Sequence, residues 1–176
     1  MWNIIATLLV LALVAGGSFE AYEQYGSGAN TQSGQNLEME VAQSIATMNS
    51  VYGGNADFSN LTNSSAYTDK IAPSSWTYAS GSGFTLPEGG TARFAPTSVN
   101  GASTQNGYTL TLSNLKSSEC SALGGYYTSS TVSVSVNGTA ANNPSFGGGS
   151  ATWPKNLASD CTAGGTNTIV FTQIGQ

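Results

Sequence analysis

The sequence is nearly without charge. Of its 176 residues only 7% are Asp, Glu, Lys or Arg, where an ordinary soluble domain carries roughly a quarter. The four basic residues, Lys70, Arg93, Lys116 and Lys155, are scattered, so there is no positive stripe to neutralise phosphates, and direct nucleic-acid binding is not expected. Histidine is absent, and there are only two cysteines, Cys120 and Cys161. The usual zinc sites and His-activated nucleophiles therefore lack their ligands and bases. No catalytic residue, metal or cofactor is predicted. Disorder is not expected either, because 39% of residues are hydrophobic and the net charge is only -5, whereas disordered chains combine low hydrophobicity with high net charge. The length suits one globular domain with a short appendage.

What is present begins with an apolar run. Trp2 to Phe19 contains no charged side chain, and as a helix it would be about 27 Å long, close to the thickness of a bilayer's hydrocarbon core. Two readings stand. A secretory signal peptide fits the small residues Ala15, Gly16, Gly17 and Ser18, but the positive flank that signal peptides and simple anchors carry is missing, the first basic residue being Lys70. The alternative is a mature terminus from which a basic leader has been removed. Residues 1–25 are read as the hydrophobic helix, 26–35 as a flexible or partly unwound segment, since GSGANTQSGQ favours a loop, and 36–176 as the globular domain. Gly16, Gly17 and Ser18 form a candidate helix break, Gly being about 1 kcal/mol poorer than Ala in a helix.

Beyond this segment, Leu37, Val41, Ile45, Met48 and Tyr52 share one helical face. Asn36 is a candidate N-cap and Gly53-Gly54 a candidate stop. A short helix is predicted around Asn63 to Ile71. Thr91 to Pro96, Tyr108 to Leu112, Thr131 to Val136 and Thr168 to Phe171 read as strands, with Asn106-Gly107 and Asn137-Gly138 as tight-turn signals that favour antiparallel pairing. Ala140 to Gly149 reads as loop. Ser113 and Lys116 match an SxxK pattern without its companion motifs and at a strand end. The acceptor sequons at Asn60, Asn63 and Asn137 are chance-level in so Asn- and Ser-rich a chain.

The order of these features resembles the type IV pilins: a charge-free N-terminal helix, an amphipathic helix, an antiparallel sheet and two cysteines in the C-terminal half. The stretches YGGNADFSNLTNSSAYTDKIAPSSW, NGYTLTLSNLKSSECSAL, VSVSVNGT and SDCTAGGTNTIVFTQ are similar to the major pilins of type IVb pili, including those of conjugative thin pili, from about Val41 to the end. The resemblance implies an α+β fold in which the amphipathic helix packs on an antiparallel β-sheet. It also implies a disulfide between Cys120 and Cys161, as an even pair outside the cytoplasm favours.

Functionally, it implies a homo-polymer of identical subunits forming an extracellular pilus of a Gram-negative bacterium, for adhesion, aggregation or conjugative contact. The subunit would be anchored in the inner membrane before assembly, processed by a prepilin peptidase, methylated, and handled by the pilus assembly machinery. The assembly helix would use Met1, Trp2, Asn3, Ile4, Ile5, Thr7, Leu8, Leu9, Leu11, Leu13 and Val14. One departure is plain: type IV pilins usually carry glutamate at the fifth mature position, and here it is Ile5, leaving Asn3 and Thr7 as polar substitutes. That departure keeps open a minor pilin or a membrane-anchored binding module.

Overall fold

The structure, a computed structural model, describes residues 29–53, 57–147, 153 and 157–175. The expected hydrophobic helix, its assembly residues Met1 to Val14 and the Gly16-Gly17-Ser18 break lie outside the described residues.

The long helix α1 spans Ala29–Tyr52. Leu37, Val41, Ile45 and Met48 are each 3% exposed or less, and Tyr52 stacks on Phe58 with ring centroids 5.7 Å apart, so the predicted apolar face is the buried one. The start differs from the expectation. Residues 29–35 are helical, where GSGANTQSGQ had been read as loop and Asn36 as N-cap. The cause is tertiary: Gly34 lies against the later helix α3 (Ser117–Leu123), so close that a Cβ there would be 2.9 Å from the Ala122 Cβ and 3.0 Å from the Ser118 carbonyl oxygen. Backbone approach at a glycine gives helix packing that outweighs its poor propensity.

Helix α2 spans Asn63–Thr68, shorter than the predicted Asn63 to Ile71. A reciprocal capping box between Thr62 and Ser65 starts it. It closes where Lys70 takes a left-handed φ of 55°, the Lys70 amide donates to the Tyr67 carbonyl and the Ile71 amide reaches back to the Ala66 carbonyl at 2.9 Å. Ile71 and Ala66 are both buried, completing a Schellman stop.

Seven strands follow: β1 Thr77–Ala79, β2 Gly83–Thr85, β3 Thr91–Thr97, β4 Gly107–Leu115, β5 Thr131–Val136, β6 Thr139–Asn142 and β7 Asn167–Ile174. They form one antiparallel sheet in the order β1-β2-β3-β4-β7-β5-β6. The last strand is thus inserted between β4 and β5. Its alternate residues Ile169, Phe171 and Gln173 are fully buried, as are Tyr108, Leu110 and Leu112 of β4, and Leu110 faces Phe171 across the ladder. The apolar ones among these and the buried face of α1 belong to one core.

One turn expectation is met and the other is corrected. Asn137-Gly138, with φ of 49° and 88°, does connect β5 to β6. It also fixes the register that pairs Val136 with Thr139 and Ser133 with Asn142, so Ala140 to Asn142, read as loop, is strand. Asn106-Gly107 is not a tight turn. The left-handed pair is Asn100-Gly101, at 59° and 69°, with the Ala102 amide donating to the Val99 carbonyl. Asn106 instead clamps this loop, its Oδ1 accepting from the Val99 amide at 2.7 Å and its Nδ2 donating to the Val99 carbonyl at 3.3 Å. Gly107 is small because a Cβ would collide with the Gln173 carbonyl on β7.

Candidate functional site

No helix among the described residues is long and apolar enough to cross a membrane, and no cluster of potential metal ligands occurs among them. Two surfaces remain to be accounted for: the outer face of α1 and the region bounded by the cysteines.

Among the described side chains of α1 the exposed ones are Gln32, Asn36, Met39, Gln43, Ala46 and Ser50, followed by Val51. The first six recur at spacings of four, three, four, three and four, a continuous stripe along one helical face. None is charged, and Met39 is 65% exposed. A water-facing helix usually shows charges there. The two acids of the helix are turned to its flanks. Glu40 accepts from the Ser75 hydroxyl at 2.6 Å and from the Trp76 indole N–H at 2.8 Å, tying α1 to the segment that enters β1. Glu38 lies beside Tyr126, whose phenol is pushed up to about 12 by burial first and by the nearby Glu38 charge second.

The predicted cysteine pair is bridged. Cys120 of α3 joins Cys161, which follows the short turn Ala158–Asp160 ahead of β7, with Cα atoms 5.9 Å apart, and Cys120 is fully buried. Around the bridge, the Leu157 amide donates to the Gly124 carbonyl at 2.9 Å. Asn167, also fully buried, accepts from the Thr162 amide at 2.7 Å and from Asn137 Nδ2 at 2.9 Å, and donates to the carbonyls of Leu115 and Thr162. One side-chain amide with all its capacity used pins the bridge to β4, β7 and the β5–β6 hairpin. Sequence reasoning passed over Asn167, since an isolated Asn carries no signal of burial.

A second polar cluster sits at the other end of β7. Gln173 Oε1 accepts from Ser130 Oγ at 2.9 Å and Thr128 Oγ1 at 3.2 Å, and Gln173 Nε2 donates to Thr131 Oγ1 at 3.0 Å. Asn49 of α1 donates to Ser130 Oγ at 3.3 Å.

The weaker sequence motifs have structural roles. Ser113 is within β4, and Lys116 is paired with Glu88 at 3.6 Å and Glu119 at 3.8 Å. Its amide donates to Glu119 Oε2 at 2.9 Å, starting α3, a helix that sequence reading missed. Asn63 Oδ1 accepts from the Phe94 amide at 2.8 Å, and Asn137 Oδ1 from the Thr168 amide at 2.9 Å.

An amphipathic helix on an antiparallel sheet, closed by a disulfide ahead of the inserted last strand, defines the architecture of a type IV pilin. The crystal structure of a type IVb pilin from Salmonella typhi has this fold, with a TM-score of 0.56, 22% identity, and 80% of this chain and 99% of that chain covered. A family profile described as PilS N terminal matches residues 31–174, and the chain belongs to that family of type IV pilins. No curated protein sequence matches it. As a family member the chain is a pilus subunit, a structural protein that assembles into an extracellular polymer and is anchored in the membrane before assembly.

Proposed function

We propose that this chain is the shaft-forming subunit of a type IVb pilus, released from the inner membrane after removal of a leader by a prepilin peptidase and methylation of the new terminus. The filament serves adhesion, aggregation or conjugative contact between Gram-negative cells. Its core is the bundle of N-terminal segments, in which Ile4, Ile5, Leu8, Leu9, Leu11, Leu13 and Val14 meet neighbouring subunits. Asn3 and Thr7, one turn apart, satisfy the buried terminal amine that Glu serves in other pilins. The segment carrying Gly16, Gly17 and Ser18 is unwound in the filament.

The observation that carries the reading is the uncharged stripe from Gln32 to Ser50 on α1. It lies on the described helix nearest the N-terminal segment, and its lack of charge suits burial against the next subunit, where an unpaired charge costs several kcal/mol. Ile5 also favours a second reading, a minor pilin or a membrane-anchored module. The test is to express Met39→Glu with Gln43→Glu, and separately Asn3→Leu and Ile5→Glu, at equal subunit levels, and to count surface filaments. Ser82→Glu, exposed in the β1–β2 turn, is the control. Shaft-forming function predicts few filaments from the first two variants and normal numbers from the control. Normal assembly of the α1 variant removes the stripe from the interface, and assembly by Ile5→Glu alone supports the second reading.

A further inference from the structure

Asparagine is followed by glycine at Asn100-Gly101, Asn106-Gly107 and Asn137-Gly138. Such a pair is chemically reactive, because glycine has no Cβ to keep its amide nitrogen away from the side-chain carbonyl carbon of the preceding asparagine. The nitrogen, having given its proton to hydroxide, attacks that carbon. A five-membered succinimide closes and ammonia leaves. Water then opens the ring at either carbonyl, giving aspartate or isoaspartate, in which the main chain runs through Cβ and Cγ. The net change turns an amide and water into a carboxylate and ammonium, with no other reactant.

The fold treats the three pairs differently. Asn106 has its Oδ1 on the Val99 amide at 2.7 Å and its Nδ2 on the Val99 carbonyl at 3.3 Å. Gly107 is buried in the sheet, paired with Thr97 of β3 and Ile174 of β7. Asn137 donates through Nδ2 to the Asp160 carbonyl and to Asn167 Oδ1, and accepts from the Thr168 amide, each at 2.9 Å. Asn100 and Gly101 are both exposed, at the tip of the loop between β3 and β4, and no described residue hydrogen-bonds the Asn100 side chain. Backbone conformation does not separate Asn100 from Asn137: the pairs have left-handed φ of 59° and 69° in one case and 49° and 88° in the other. The difference lies in what holds the side chain.

We infer that Asn100 is a site of spontaneous deamidation, converted with time to isoaspartate and aspartate while Asn106 and Asn137 are spared. A held amide must leave its partners before its carbon can turn to the glycine nitrogen. Each net hydrogen bond lowers that population roughly two- to ten-fold, so the two held asparagines should react about ten-fold more slowly or less. The product adds a negative charge to a chain of net charge -5 and inserts a methylene into the main chain at the loop tip. Its isoaspartyl carboxylate is the chemical class taken by carboxyl methyltransferases that use S-adenosylmethionine. On an extracellular polymer, away from cytoplasmic repair, the modified fraction would record filament age.

The inference goes beyond the pilus reading and does not rest on it, since it is tested on unassembled chain. Full-length protein in detergent is incubated at physiological temperature, at neutral and at mildly alkaline pH, and in parallel in guanidinium chloride. Peptide mapping by mass spectrometry follows each site, and an isoaspartyl methyltransferase with labelled methyl donor counts isoaspartate. In the folded chain deamidation should concentrate at Asn100, run faster at the higher pH, and exceed that at Asn106 and Asn137 by about ten-fold or more. In denaturant the three sites should react at similar rates, which shows that the fold makes the distinction. Asn100→Gly, which keeps a residue suited to the left-handed φ, should remove nearly all methyl acceptance from the folded chain. The inference is overturned if Asn106 or Asn137 keeps pace with Asn100 in the folded chain, if Asn100 stays intact while the denatured chain reacts, or if Asn100→Gly leaves methyl acceptance unchanged.

Discussion

Replacing Gly34 with Ala separates a packed helix start from a solvent-facing one. In an exposed helix the change gains about 1 kcal/mol from propensity, and in a loop whose φ is not left-handed it gains slightly less through the unfolded chain. Here the new methyl would lie 2.9 Å from the Ala122 Cβ and 3.0 Å from the Ser118 oxygen. Helices α1 and α3 must move apart, at the 1–3 kcal/mol usual for overpacking. The net expectation is a loss of about 1 kcal/mol, with Gly34→Leu losing several times that. Ala122→Gly removes the nearer of the two obstructions, so Gly34→Ala in that background should be close to neutral, giving a coupling of about 1 kcal/mol. Urea unfolding of the full-length chain in detergent, followed by near-UV circular dichroism, measures all four corners of the cycle. A Gly34→Ala protein that is more stable than its parent, with no coupling to position 122, refutes the packing of residues 29–35 on α3.

Two further outcomes follow from the described contacts. Removing the bridge with Cys120→Ala and Cys161→Ala frees a loop of sequence separation 41 and should cost about 4 kcal/mol by chain entropy, measured by urea unfolding; a loss under about 1 kcal/mol would mean Asn167 and its neighbours hold the segment unaided. Alkaline titration should destabilise the fold: the phenol of Tyr126, raised from 10.0 to about 12 by burial and Glu38, and that of the fully buried Tyr108, raised further by burial, stay neutral when folded and ionise more readily when unfolded. Their contribution is complete below pH 10 and lost as pH climbs through the folded values, so stability that is flat from pH 10 to 12 contradicts it.

Periodic signals were the legible ones. Alternation in Thr131 to Val136 and Tyr108 to Leu112, and the helical spacing from Leu37 to Tyr52, gave those elements and, apart from the irregular start of β5 where Thr131 is buried and Val132 is not fully so, their buried faces, because a half-buried element must repeat with its own geometry. Strands β1, β2 and β6 are three or four residues long and carry too few repeats to register. Helix α3 was hidden because its cue is one carboxylate, Glu119, folding back to the Lys116 amide. Gly34 and Gly107 read as loop formers by propensity, but both are contact residues, chosen by what lies opposite them in the fold. The cysteine pair was legible because only one pairing was possible.

The central claim is that this chain forms the shaft of a filament, and imaging tests it directly. Material sheared from expressing cells would be examined by electron cryomicroscopy, with the subunit identified by mass spectrometry. The account predicts filaments built from this chain, N-terminal helices bundled on the axis, and the α1 stripe from Gln32 to Ser50 covered by a neighbouring subunit. Filaments built from another protein, or a filament map in which Met39 and Gln43 face solvent, would contradict it.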